Sequence, residues 1–353
     1  MSFYYHSKKV KEACRPEPYH EGSRAKVSLQ SPPNSDIIAE NNLWNKKKIL
    51  KKLKTVTLLT ALLFLGTTQS FSSELKIVHE VKFNKIIDGK DRMKKYEASG
   101  VRFAYGSFYV VFDNSSRAAR VDTKLTRAKL LGKERKKEGF EGIACNPLNN
   151  KFYLVEESVK HKGTWNGRLS VTDEAFSPAS KQRWLAYAFE SGNKGFEGLA
   201  FFRRNGTDYL LALCEGNRCK AGPESERPGG GTIQLFEKKK KKWKLTGAIR
   251  LPDTLRFSDY SGLDISADNT LVVSSQTSSA LWIGKLDADK WKTVDSGKVY
   301  TFPKGKKGQT LYCNVEGVSW ISKNRLVVVS DAKKKSQPKQ CKMKAQSIHL
   351  VKF

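Results

Sequence analysis

Acids and histidines are what this chain of 353 residues is short of. Its 35 Asp and Glu stand against 65 Lys and Arg, a formal net charge of +30, and it has 5 histidines. From residue 74 onward only His79, His161 and His349 remain, scattered along the sequence, which argues against a histidine-based triad or a histidine zinc site. No G-x-S-x-G elbow and no G-x-x-x-x-G-K-[ST] loop occurs. The cysteines in the same stretch, Cys145, Cys214, Cys219, Cys313 and Cys341, lack the spacing of a zinc site.

The shortage of acids leaves a basic surface that favours anionic partners. The candidates are an anionic small molecule or an acidic envelope polymer, since no specific nucleic-acid motif is present. The lysine runs "KKKKKWK" (238–244) and "DAKKKSQPKQCK" (331–342) sit where turns belong and read first as solvated faces.

Long apolar runs are missing too. The run from Val56 to Leu65 is too short to span a bilayer comfortably. With lysines before it and small polar residues after Gly66, residues 49–72 have the layout of a signal peptide, with cleavage after Ser70 or Ser72. Residues 1–48 show no periodicity and are expected to be a non-native or disordered extension. The expected location is periplasmic or secreted, and no transmembrane helix is expected in the mature chain, a monomer. In an oxidising compartment two disulfides and one buried thiol are expected. Cys214 and Cys219 lie close enough to close a local loop, Cys313 and Cys341 could tie the last segment, and Cys145 reads as a small core residue. Connectivity stays open at this level.

What the sequence does have is a repeat. "ASGVRFAYGSFYVVFDN" (98–114) aligns with "FEGIACNPLNNKFYLVEES" (140–158), and the outline returns at 196–217, 260–278 and 315–333. Each copy reads Ser or Glu, Gly, a short strand, a polar turn and a strongly apolar strand. Two further strand candidates lie between copies, so each unit is a four-stranded antiparallel meander, the blade of a β-propeller. After the fifth motif only "SIHLVKF" (347–353) remains, and "LKIVHEVKF" (75–83) can supply the missing strand. The expectation is an all-β, five-bladed propeller over 73–353, closed by its N- and C-terminal strands. Six blades are the alternative and would need a blade the repeats do not supply.

The first strand of each blade lines the central channel, so Ser99, Glu141, Glu197, Ser261 and Glu316 converge on the axis. Three carboxylates there repel one another unless a cation sits among them. Carboxylate and hydroxyl oxygens are hard ligands suited to Ca²⁺. A second set of acids follows the apolar strands: Asp113, Glu156 with Glu157, Glu215 and Asp331, with Gln276 in the fourth blade. They are expected at one mouth of the channel, able to hold a catalytic water or a second ion, or merely to organise turns.

At these residues a resemblance enters. "NKGFEGLAF", "SDYSGLDI" and "VEGVSW" followed by "VVSD" resemble the SdiA-regulated family of exported β-propellers over roughly residues 75–353, and "GFEGLA" is similar to phytase-like esterase propellers. The Ser, Glu, Glu, Ser, Glu order is similar to the central calcium site of calcium-activated apyrases, five-bladed nucleotide diphosphohydrolases. That likeness extends to "FYVVFDNSSR", where it implies catalytic roles for Asp113 and Arg117, with one aspartate where the apyrase stretch carries two. Two functions follow as expectations. The first is an exported calcium-binding propeller that binds an anionic ligand. The alternative is a calcium-dependent phosphohydrolase or phosphoesterase.

Overall fold

A computed structural model describes residues 73–353 apart from 136–138 and 178–182. The extension at 1–48 and the leader at 49–72 lie outside the described residues. The described part opens with β1 (Ser73–Glu74) and β2 (Lys76–Lys82) and continues as five four-stranded antiparallel sheets arranged in a ring, a five-bladed β-propeller.

Blade one holds β3 (Ala98–Ala104), β4 (Ser107–Phe112), β5 (Ser115–Asp122) and β6 (Ala128–Leu131). Blade two holds β7 (Gly142–Asn146), β8 (Lys151–His161), β9 (Thr164–Thr172) and β10 (Arg183–Phe189). Blade three holds β11 (Phe196–Arg204), β12 (Thr207–Cys214), β13 (Thr232–Lys239) and β14 (Lys242–Arg250). Blade four holds β15 (Gly262–Ile265), β16 (Thr270–Ser275), β17 (Ala280–Lys285) and β18 (Lys298–Thr301). In blade five, β19 (Val315–Ser322), β20 (Arg325–Ser330) and β21 (Ser347–Lys352) are completed by β2.

The local reasons are plain in the residues. Second strands such as "FYVVF" are aromatic and β-branched, and Phe108–Phe112 is buried on both faces because each blade is sandwiched between two others. Inner strands turn back through two-residue loops with both φ angles positive, as at Asn205–Gly206 (48° and 77°), the geometry that matches strand twist. The lysine-rich tip at Lys240–Lys241 is an exposed outer turn, as expected.

The ring closes as the leftover strand foretells: β2 pairs antiparallel with β21, Glu80 facing His349 across the register. One feature is additional. Residues Ser73–Glu74 first run parallel to β18 along the outer edge of blade four, and Leu75 is buried among Val272, Leu281 and Phe302. Burial of that leucine holds the chain against blade four before it crosses to blade five.

The repeated glycine has a geometric cause. A β-carbon on Gly142 would lie 2.8 Å from Leu199 N, one on Gly198 2.8 Å from Leu263 N, and one on Gly317 2.6 Å from Val101 N. On Gly100 it would meet Glu141 O at 3.1 Å, and on Gly262 it would collide with Glu316 O. Each inner strand thus touches the backbone of the next, and the five glycines form the waist of the ring.

Cys214–Cys219 and Cys313–Cys341 are disulfides, with Cα–Cα separations of 5.2 and 5.4 Å. Cys145 corrects an expectation. It is buried, at 1% exposure, but it is disulfide-bonded rather than a thiol. The other four cysteines counted above are paired with one another.

Candidate metal centre

Four of the five residues that precede the waist glycines stand at the mouth of the channel. Glu141, Glu197, Ser261 and Glu316 line a cavity of about 230 Å³ on one face of the ring. Ser99 lies deeper, at the waist. The two serines are engaged with backbone: Ser99 Oγ donates to Phe140 O, and Ser261 Oγ donates to Val315 O at 3.0 Å. Both bonds cross to the adjacent blade. The ring of five therefore divides into three carboxylates that face the cavity and two hydroxyls that staple blades together.

The strand-end acids arrive at the same cavity. Asp113, Glu157, Glu215 and Asp331 line it, with Gln276 between them. Glu156 does not; strand alternation turns it away, and it pairs with Arg168. Asp259, which sequence reading passed over, completes the set. It stands two residues before Ser261, and that spacing in extended chain was the available signal. Eight carboxylates thus line one funnel in a protein of net charge +30.

Their electrostatics follow from crowding. Burial, reinforced by neighbouring carboxylates, pushes Glu141, Glu197 and Glu316 well above the usual carboxylate range. Asp113 opens onto the cavity yet has protein on most sides; burial and then Asp331 and Glu97 raise it to about 7. Burial and Glu215 likewise raise Glu157 to about 7, and burial raises Asp331 to about 6.

Glu157, Glu197 and Glu215 form the tightest group, each with a carboxylate oxygen within 4.8 Å of the others. They come from blades two and three. The loop between those blades is clamped over them. Gly195 N donates to Glu157 Oε1 at 3.0 Å, Glu215 N donates to Gly195 O at 3.0 Å, and Lys194 Nζ bonds Glu215 Oε1. Glu215 is fixed from its other side by the Cys214–Cys219 disulfide, whose loop contains it. Across the funnel, Gln276 Nε2 donates to Glu316 Oε1 at 2.5 Å and its Oε1 accepts from Lys334 Nζ at 2.9 Å.

Oxygen donors of this number and hardness, drawn together against their own repulsion, fit a divalent cation of the calcium type. Glu157, Glu197 and Glu215 would hold it, with Glu141 and Glu316 beside them. What the ion would supply is positive charge at the funnel floor, able to bind and polarise an anionic oxygen.

Below the waist a buried ion pair joins two blades. Arg102 of blade one pairs with Asp264 of blade four, and Asp264 also accepts from Ser319 Oγ at 2.8 Å and Trp320 N at 2.9 Å. Arg117 sits on β5 and is not among the residues that line the funnel. The pair implied by the apyrase likeness is therefore split, Asp113 in the cavity and Arg117 outside its lining.

The histidines hold one surprise. His349 Nδ1 lies 3.1 Å from Glu80 Oε2, and its Nε2 lies 3.1 Å from both Ser330 Oγ and Ser347 Oγ. Acid, base and hydroxyl are aligned, but His349, Ser330 and Ser347 are buried at 0%, 1% and 3% exposure. With Tyr312 and Lys344 also on Glu80, this network ties the closing strand to its blade rather than meeting a substrate.

No protein-family model matches the chain, and no curated protein matches it. Solved structures similar to it include a glutaminyl cyclase from Myxococcus xanthus, with 11% identity, a TM-score of 0.47, and coverage of 80% of this chain and 97% of that one. A PQQ-bound aldose sugar dehydrogenase from Streptomyces coelicolor matches with 14% identity and a TM-score of 0.47, over 79% and 98% of the two chains. A GH43_1 enzyme from Xanthomonas citri complexed with xylotriose matches with 11% identity and a TM-score of 0.47, over 73% and 88%.

Proposed function

We propose that the chain is an exported, calcium-binding β-propeller of the SdiA-regulated kind, whose funnel holds the ion and through it an anionic ligand. One observation carries the reading: eight carboxylates converge in one funnel of a protein with a surplus of thirty positive charges. Left without a cation, such a cluster works against folding through desolvation and repulsion. Folded proteins keep such costs where a function needs them. The basic exterior draws anions toward the molecule, and the ion at the funnel floor gives them a point of attachment.

A calcium-dependent phosphohydrolase is the second reading. It is favoured by Asp113 and Glu157, which are raised to about 7 in the same cavity and so suited to proton transfer near neutrality. The exit of Arg117 from the funnel lining weighs against it.

Calorimetric titration of chelator-treated protein with CaCl₂ tests the cation, and phosphate release from nucleotides, phytate and simple esters separates the two readings. Saturable calcium binding without product supports the binding protein, and calcium-dependent release lost in Glu197→Gln supports the enzyme. A folded protein that takes up no divalent cation overturns both.

A further inference from the structure

We infer that Lys194 is a built-in counter-cation of the Glu157–Glu197–Glu215 cluster, which a divalent ion must displace from Glu215 in order to bind; this rests on the cation-binding reading above.

Lys194 Nζ pairs with Glu215 Oε1, and the two side chains are 26% and 23% exposed, so the pair is partly buried, with Glu215 in the funnel lining and Lys194 just outside it. Its charge also acts on Glu197 and Asp259. The ammonium is therefore felt by three of the funnel carboxylates, its partner Glu215 among them. The same carboxylate is one of the three that can converge on a metal. One oxygen of Glu215 cannot serve both partners at full strength.

The loop makes the arrangement specific. Gly195 is bound on both sides, through its N–H to Glu157 and through its carbonyl from Glu215 N, and a β-carbon there would collide with Glu157 O. The backbone of the strap is fixed, while the lysine side chain is a flexible four-carbon arm. Release therefore needs only rotation of that arm away from Glu215. Lys334, the lysine that does line the funnel, is exposed and bonds the neutral amide of Gln276. The same charge is thus held in two ways, one ammonium on a cluster carboxylate and one on an amide.

A tethered monovalent charge sets a threshold. A free monovalent cation gains little by replacing an ammonium already in place, whereas a divalent ion gains from all three carboxylates at once. Lys194 would thereby hold the site for divalent ions and lower their affinity. Loss of one unit charge at this separation corresponds to about a tenfold change in binding.

The test is calorimetric titration of the full chain, stripped with chelator, with CaCl₂ and separately with NaCl, for wild type, Lys194→Met, Lys194→Arg and Lys334→Met. The expected result is about tenfold tighter calcium binding and measurable sodium binding in Lys194→Met. Lys194→Arg should stay near wild type, and Lys334→Met should change by less than threefold. If wild type takes up no calcium, the cation-binding reading falls and takes the inference with it, whatever Lys194→Met does. If wild type binds calcium and Lys194→Met binds it equally or more weakly, the inference falls while the cation-binding reading stands. An equal gain in Lys334→Met reduces the effect to general charge and overturns the specific role. Should Lys194→Met fail to fold, Lys194→Gln is titrated in its place.

Discussion

Gly317 of blade five lies against Gly100 of blade one so closely that a β-carbon on the former would stand 2.7 Å from the α-carbon of the latter. That contact joins the last repeat to the first. The obstacle is backbone, which cannot swing aside as a side chain can. Gly317→Ala should therefore cost about 1–3 kcal/mol, read as a lower denaturation midpoint. Gly247→Ala, whose nearest neighbour is a side-chain methyl at 3.8 Å, should leave the midpoint nearly unchanged.

Neutralising one funnel carboxylate should move stability and cation binding in opposite directions. Glu197→Gln removes a desolvated charge that faces Glu141, Glu215, Glu157 and Glu316, so the metal-free protein should melt higher than wild type. The same change deletes a ligand and should weaken calcium binding by about tenfold or more. Thermal melts with and without calcium read both effects.

The pH dependence has a definite sign. Glu157 and Asp331 titrate at about 7 and about 6 in the folded protein, above their unfolded values, so the folded state binds more protons. Their contribution to stability is fully present below the unfolded carboxylate range and is lost as pH rises through 6 to 7. Glu80 runs the other way. Its bond with His349, with help from Lys344 and Tyr312, lowers it to about 2. Stability from Glu80 is present above its unfolded value near 4.5 and is lost as pH falls toward 2. Urea midpoints in chelator should rise from pH 8 to about pH 5 and then fall; calcium should flatten the neutral arm.

The disulfides Cys214–Cys219 and Cys313–Cys341 should separate by what they protect. Their sequence separations are 5 and 28, and loop-closure entropy ranks their loss at about 2 and about 3.5 kcal/mol. Removing Cys313–Cys341 should therefore cost more stability. Removing Cys214–Cys219 should cost more calcium affinity, because Glu215 lies inside its loop. Paired serine variants, compared by denaturation and by titration, give the ranking.

The ring was legible because one small motif recurs. Gly142 and Gly198 share a waist contact, so the same residue had to appear at each, and the strand left over at 75–83 indicated closure. The strand-end acids were legible too, since Asp113 and Asp331 both follow a run of apolar residues. Lys194 was not, although it stands three residues before Glu197: its role depends on Glu215 coming from the far end of β12. Glu156 and Glu157 could not be told apart until the phase of β8 was fixed. His349 appeared isolated because its partner Glu80 stands 269 residues away.

That distance bears on how the chain is made. Until β21 has been synthesised, β2 has no edge to join, and blade five lacks both its third and fourth strands. The long-range pairing brings no gain until nearly the whole sequence is present, which makes closure a late and slow event. In the interval the free edge of an unfinished blade is open to pairing with other chains. Closure of the ring thus acts as a check on integrity: a chain cut short anywhere before His349 leaves Glu80 without that partner, and stays open.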